Sequence, residues 1–215
     1  LYQTFLSAFS DYVQDVSHVT ETNFVNRFTR GGVDYDTSVG VYYEGKLVGF
    51  TIIALDDFKG SCAAFDAMTG LVKEHRGKGL AKAIFEHALP RLREKGVKNF
   101  YLEVIQKNEP AVRAYEKTGF SIEREMDAFG LSADALPLER PAGLDVEIRP
   151  IAREDLHQAA GFFDWQPSWE NSLASIQRVP DEVICLGAFT GKKLVGALAH
   201  HPASTWLLSL AVDPS

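Results

Sequence analysis

Between residues 73 and 82 the chain sets the cations Lys73, Arg76, Lys78 and Lys82 around two glycines, in the order Arg76-Gly77-Lys78-Gly79-Leu80-Ala81. Residues of these types at this spacing can hold phosphate. Two glycines let a backbone turn tightly and approach a ligand without interference from a β-carbon. Successive amides in such a turn form a nest for an anion, and a helix starting near Gly79 would add the positive end of its dipole. A bland reading stands beside this one, because an isolated R-G-x-G string is also what a solvated surface turn looks like. Two rival phosphate motifs fit poorly. The spacing G-x-x-x-x-G-K-[ST] is absent, and Lys82 occupies the third glycine position of G-x-G-x-x-G.

The elements that must position this loop can be read from periodicity. Residues 1–13 place Leu1, Phe5, Leu6, Phe9 and Val13 on one helical face. A second helix is expected over 20–30, with Thr20 as its N-cap and Gly31-Gly32 as its stop. Two β-rich runs, 38–43 and 46–53, flank Glu44-Gly45 and make a hairpin. Residues 62–72 read as a third strand. Past Gly79 the period changes: Ala81, Ile84, Phe85, Ala88, Leu89 and Leu92 recur as on an amphipathic helix, with Pro90 inside it. A strand over 100–105, a short helix over 108–117 that Asn108 can cap, and a strand over 119–126 follow.

The loop string from Leu71 and Val72 through Ala81 resembles the acetyl-CoA motif of the GCN5-related N-acetyltransferase (GNAT) family. The later string Asn108-Glu109-Pro110-Ala111-Val112-Arg113-Ala114-Tyr115-Glu116-Lys117-Thr118-Gly119-Phe120 resembles the family's N-x-x-A-x-x-x-Y-x-x-x-G-F segment at every named position. The two motifs come in the family's order and in the expected strand, helix and turn context. The resemblance implies direct acetyl transfer from acetyl-CoA, held in a splay between the strands at 64–72 and 100–105. Backbone groups near Leu71 and Val72 would hold the pantetheine arm, and an amide on that strand would polarise the thioester carbonyl. Arg76, Gly77, Lys78, Gly79, Leu80 and Ala81 would hold the pyrophosphate. Asn108 could also bond the pantetheine arm, although a cap alone would explain it. Tyr115 matches the family tyrosine that protonates the departing sulfur; a helix aromatic packed on the sheet is the alternative. For the base, Asp66 is the acid on the strand before the loop, and its facing depends on a bulge. Glu103 is second choice. Both could be ordinary paired carboxylates, and a relayed water or an amine arriving neutral would serve as well.

After a stretch at 132–144 that reads as a linker, the order of elements starts again. A strand over 146–151, helices over 153–163 and 169–178, a hairpin of 183–189 with 194–200, and a strand over 206–212 are expected. Gly45-Lys46-Leu47-Val48-Gly49 matches Lys193-Leu194-Val195-Gly196, an internal repeat. If Val212 takes the place of Leu71, the counterpart of Arg76 falls two residues past Ser215. The second copy is therefore expected to be incomplete at its C-terminal end.

Composition narrows the partners. A net charge of −7 disfavours nucleic acid and anionic membrane surfaces, whose binding depends on Lys and Arg. No run approaches the length of a membrane span, and no basic stretch precedes an apolar one at the start. There is also no initiator methionine, so a preceding segment stays open. Cys62 and Cys185 read as small buried hydrophobes in a reducing compartment, and His200-His201 as a solvated turn without a third metal ligand. Trp165, Trp169 and Trp206 read as aromatic core before binding face.

The expectation is an α/β fold, a GNAT-like mixed and mostly antiparallel sheet flanked by helices, in two tandem domains. These are a catalytic acetyl-CoA-binding domain over 1–131, the linker 132–144, and the incomplete domain 145–215. The expected function is N-acetyl transfer from acetyl-CoA to a primary amine in a ternary complex, with Tyr115 and Asp66 catalytic and no metal. An acyl-CoA sensor without turnover is the alternative. The acceptor is a small-molecule or peptide amine, with Tyr12, Asp34, Tyr35 and Asp36 as guesses for its wall. A cytoplasmic protein is expected, with a homodimer left open.

Overall fold

The computed structural model of the chain describes residues 1–135, 145–179 and 182–215. Most of the expected linker at 132–144 lies outside the described residues. Two compact units emerge: Leu1–Phe120 with Trp165–Glu182, and Ser121–Asp164 with Val183–Ser215.

The first unit is an α/β layer built on one sheet. Helix α1 (Tyr2–Ala8) is shorter than its apolar period suggested, and α2 (Glu21–Gly31) follows. Thr20 caps α2 by accepting the Asn23 amide at 3.2 Å, and Gly32 ends it in the left-handed region at φ 75°. Strands β1 (Val39–Tyr43), β2 (Lys46–Phe58) and β3 (Ser61–Leu71) run antiparallel, joined first through Glu44 and Gly45 at φ 48° and 77°. That pair of positive angles suits the twist of a two-residue hairpin. Helix α3 (Leu80–Glu94) returns the chain to β4 (Asn99–Leu102), which lies parallel to β3, and α4 (Glu109–Lys117) follows. Pro90 interrupts the bonding of α3 on an exposed face. The Glu86 carbonyl that loses its donor belongs to an exposed residue, so water can meet it.

Two apolar layers sandwich this sheet. On one face Phe5, Phe24 and Phe28 of the first two helices pack with Phe50, Ile52, Phe65 and Trp169. On the other, Ala88 and Leu92 of α3 pack with Ile53 and Ala64. Trp169 comes from the stretch expected in the second domain. It lies in a short 3-10 turn, Trp169–Asn171, followed by α5 (Leu173–Gln177), and this segment packs in the first unit. Residues 119–126, expected as a strand, form none: Phe120 turns its ring onto Phe85 and Phe100 at 5.5 and 5.3 Å.

The second unit holds an antiparallel sheet in the order β5 (Glu147–Pro150), β6 (Ile184–Thr190), β7 (Lys193–His201) and β8 (Trp206–Val212). The helix expected over 153–163 is a 3-10 stretch, Arg153–Phe162, that buries Leu156 and Ala159. The registers of the two sheets coincide. Gly49 pairs with Leu71, and Gly196 with Val212. A bulge follows three residues later in both, between Ile52 and Ile53 and between Ala199 and His200. The first hairpins match too: Val41 pairs Gly49 and Tyr42 pairs Leu47, as Ala188 pairs Gly196 and Phe189 pairs Leu194. Even the closing bond repeats, from the Val72 amide to the Val48 carbonyl and from the Asp213 amide to the Val195 carbonyl, both 2.9 Å.

Candidate functional site

The loop between β3 and α3 has the conformation its glycines allow. Gly77 and Gly79 sit at φ 73° and 76°, and a β-carbon on either would meet no atom within 4 Å. The space against this backbone is open. Gly79 caps α3, and the first-turn amides of a helix have no acceptor within it, so Leu80 and Ala81 present donors there. Lys78 is exposed and can reach into this space.

Arg76 behaves differently from its neighbours. Its guanidinium donates to both oxygens of Asp11 at 2.7 and 2.9 Å, to the Ala8 carbonyl at 2.6 Å and to the Leu71 carbonyl at 3.0 Å. Its own amide donates to the Lys73 carbonyl. Arg76 therefore braces the loop against the end of α1, and its hydrogen bond holds the Asp11 carboxyl below its usual range.

The open edge beside the loop follows from strand pairing. The β3–β4 ladder runs from Ala63 with Asn99 to Asp66 with Leu102 and stops, although the sequence suggested a strand to 105. Past Asp66, β3 continues to Leu71 without β4. Because the Val72 amide points to β2, alternation turns the Leu71 amide toward the free edge. Past Asp66, β3 therefore keeps an edge that β4 does not pair, and that edge runs through Leu71 toward the glycine loop.

The two catalytic candidates meet where the β3–β4 ladder stops. The Tyr115 hydroxyl donates to Oδ2 of Asp66 at 3.2 Å. Asp66 faces it because Ala67 is an extra residue: Ile52 pairs with Met68 and Ile53 with Asp66. In a regular strand Asp66 and Thr69, three apart, would point to opposite faces. The bulge puts them on one face, and the Thr69 hydroxyl donates to the same Oδ2 at 2.7 Å. Thr69 in turn meets Thr51 across the strands at 2.8 Å.

Electrostatics follow from burial. Asp66 is 5% exposed, and desolvation pushes its carboxyl up to about 6, against the pull of Thr69, Tyr115, the Met68 amide and the more distant Arg27. Its Oδ1 is buried with no hydrogen-bond partner. Burial, and then the Asp66 charge, push the Tyr115 phenol well above its ordinary value. Rings of Phe85 and Phe120, 6.0 and 5.8 Å from that of Tyr115, hold it in place. Asn108 caps α4 by accepting the Ala111 amide at 3.4 Å.

Other candidates lie elsewhere. Glu103 accepts the Trp169 amide at 2.9 Å. Asp34 pairs with Lys95 at 2.5 Å and accepts the Thr37 amide, Tyr35 is exposed, and Asp36 stands 4.0 Å from Lys95. Tyr12 packs on Phe9 and lies close enough to Tyr115 to raise its phenol further. His201 bonds Ser204, and no metal-binding cluster occurs among the described residues. The sequence reading missed Thr51 and Thr69, which no pattern signals, because only the bulge brings them to Asp66.

Comparison with known proteins adds a family. A model described as the acetyltransferase (GNAT) family matches residues 2–120. A probable spermine N(1)-acetyltransferase of Bacillus subtilis subsp. natto is 34% identical over 102 residues, 45% of this chain and 66% of that protein. The streptothricin acetyltransferase of Streptomyces lavendulae is 33% identical over 88 residues, 41% of this chain and 46% of that protein. N-alpha-acetyltransferase 30 of Schizosaccharomyces pombe is 32% identical over 76 residues, 35% of this chain and 51% of that protein. The chain spans less than two thirds of the length of each.

Proposed function

The chain belongs to the acetyltransferase (GNAT) family, and from that premise we propose that its first unit moves the acetyl group of acetyl-CoA to a primary amine. The observation that carries this reading is the Asp66–Tyr115 pair where the β3–β4 ladder stops, on the strand that leads into a glycine loop with open space against its backbone. Bound acetyl-CoA would supply the thioester carbonyl that the amine attacks. The amides of Leu80 and Ala81, the backbone of Gly77 and Gly79 and the Lys78 ammonium suit its pyrophosphate, and the free edge at Leu71 suits its pantetheine arm.

Tyr115 and Asp66 divide the proton transfer. Tyr115 alone is a poor acid toward a leaving sulfur, because a thiol ionises near ~8.5 and the phenol is held well above its own value. Asp66 near 6 is acidic enough once protonated. Asp66 takes the amine's proton, hands one to Tyr115, and Tyr115 gives its own to the sulfur. One proton leaves the amine and one arrives at the thiol, so the charges balance. The relatives named as spermine N(1)-, streptothricin and N-alpha-acetyltransferases support an amine acceptor, small or peptidic. A pair of titratable groups poised this way does not favour the sensor reading.

The second unit is, on this reading, a second copy of the same half-fold. Its matching registers and bulges support that assignment.

Thiol release from acetyl-CoA across an amine panel tests the activity. Tyr115→Phe keeps the ring packing and removes the hydroxyl. Turnover should drop by about 100-fold, the usual scale for a positioned proton donor, with acetyl-CoA affinity within a factor of about two. No release above hydrolysis with any amine, or unchanged turnover in Tyr115→Phe, would count against the proposal. Gly79→Val tests the loop separately: calorimetry should show acetyl-CoA binding weakened at least about 10-fold, because a branched side chain would fill the open space and strain a positive φ.

A further inference from the structure

We infer that Thr69 is a positioning residue for the proton transfer and that Thr51 orients it, so that Oδ2 of Asp66 is held to the Tyr115 hydroxyl with which it exchanges the proton. This rests on the reading of Asp66 and Tyr115 given above.

Proton counting fixes the direction of the chain. The Thr69 hydroxyl has one proton, and it goes to Asp66 Oδ2 at 2.7 Å. The 2.8 Å contact between the two threonines must then be Thr51 donating to Thr69. Thr51 is fully buried. Two side-chain donors, Thr69 and Tyr115, thus load one oxygen of the carboxylate, and no side chain donates to the other. Thr69 also lies close enough to Tyr115 to lower its phenol.

The second unit shows that the fold itself does not need this chain. There the same bulge brings three other residues to the same places. Leu198 pairs with Leu210 as Thr51 pairs with Thr69, and Leu207 pairs with His200 as Asp66 pairs with Ile53. Thr51, Thr69 and Asp66 are thus replaced as a set by three leucines. Leu207 and Leu210 are exposed there, so the bulged ladder itself forms without a buried hydroxyl or carboxylate at these positions. Keeping two hydroxyls and a carboxylate there, with one oxygen unpartnered, costs stability that chemistry can justify.

Asp66 is faced by few other charges. Tyr115 comes from α4; Arg27 of α2 acts from farther away and is itself paired with Glu170 at 2.8 Å; Tyr12 acts on Tyr115. Removing Thr69's bond should therefore be readable at Asp66 directly.

The test uses Thr69→Val in the full chain, which keeps the branched shape and deletes the donor. The Asp66 carboxyl, followed by NMR of its side-chain carbon, should titrate about one pH unit higher, because the charged form loses a hydrogen bond. With an active amine, kcat should fall about 10-fold with the KM for acetyl-CoA within twofold. The acidic limb of the pH profile should move up with the carboxyl. Thr69→Ser should restore both, and Thr51→Val should move both the same way by less. A Thr69→Val protein with parental kcat and an unmoved carboxyl titration overturns the inference. If Thr69→Val does not fold, an unmoved carboxyl titration in Thr51→Val overturns it instead. The underlying reading fails differently: it falls if Asp66→Asn still turns over at the parental rate.

Discussion

Asp66→Asn should lose at least about 100-fold in turnover and at the same time become more stable than the parent at pH 7.5. The sign follows from the folded carboxyl standing near 6 against an ordinary 3.8. A raised acid binds its proton more tightly in the folded protein. Its stabilising effect is complete below about pH 4 and is lost as the pH climbs through 6. Above that, the ionised carboxylate is held in the interior at a cost on the order of 3 kcal/mol. Asparagine removes the charge and can still accept from Thr69 and Tyr115. Its amide, placed where Oδ1 has no partner, returns part of the gain. A net gain of about 1–2 kcal/mol at pH 7.5, vanishing near pH 4, is the expected difference in denaturant unfolding. A pH-independent difference would show that Asp66 is not the strained group. Stability gained by losing activity would mark Asp66 as a group kept for its chemistry.

Trp169→Ala should cost about 3–5 kcal/mol in the unfolding of the first unit, although Trp169 lies far outside the matched family segment. The indole is 2% exposed. It stacks on Phe65 at 5.1 Å with 6° between the planes, and packs on Phe58 at 5.0 Å. Its N–H donates to the Gly31 carbonyl at the end of α2, at 2.9 Å. Removing it leaves a cavity and an unpaired carbonyl together. Around it, Arg30 donates to the Glu170 carbonyl and Asn171, and Arg178 to Asp56 at 2.7 Å. The exposed Trp165 is the control, and Trp165→Ala should change stability by no more than about 0.5 kcal/mol. Equal midpoints for Trp169→Ala and the parent would remove the 165–182 segment from the first unit's core. One consequence is that a fragment ending near 131 lacks a core residue and should be markedly less stable than the same residues in the full chain.

Local features were legible in the residues themselves. Thr20 and Gly32 bound α2 because a cap and a left-handed stop act within one turn. The Glu44-Gly45 hairpin, the positive angles of Gly77 and Gly79 and the start of α3 are equally short-range, so the glycine turn before α3 could be read from its spacing alone. The likeness of Lys46-Leu47-Val48-Gly49 to Lys193-Leu194-Val195-Gly196 is local too, and both strings take the same positions in their hairpins. What the tertiary structure decided depends on pairing across distance. One extra residue at Ala67 turns Asp66 to Thr69 and Tyr115, and nothing in the order Phe65-Asp66-Ala67 announces it. Arg76, expected among the pyrophosphate residues, has its guanidinium on Asp11 and on the Ala8 carbonyl at the end of α1, partners that its sequence neighbours do not announce. Trp169 followed the periodicity of a second domain, yet a flat apolar ring takes whichever partner buries it best, and in the folded chain that partner is Phe65. Period and capping reveal where an element begins and ends. Which way a strand's side chains face after a bulge, and which core a distant aromatic joins, are settled when the sheet closes.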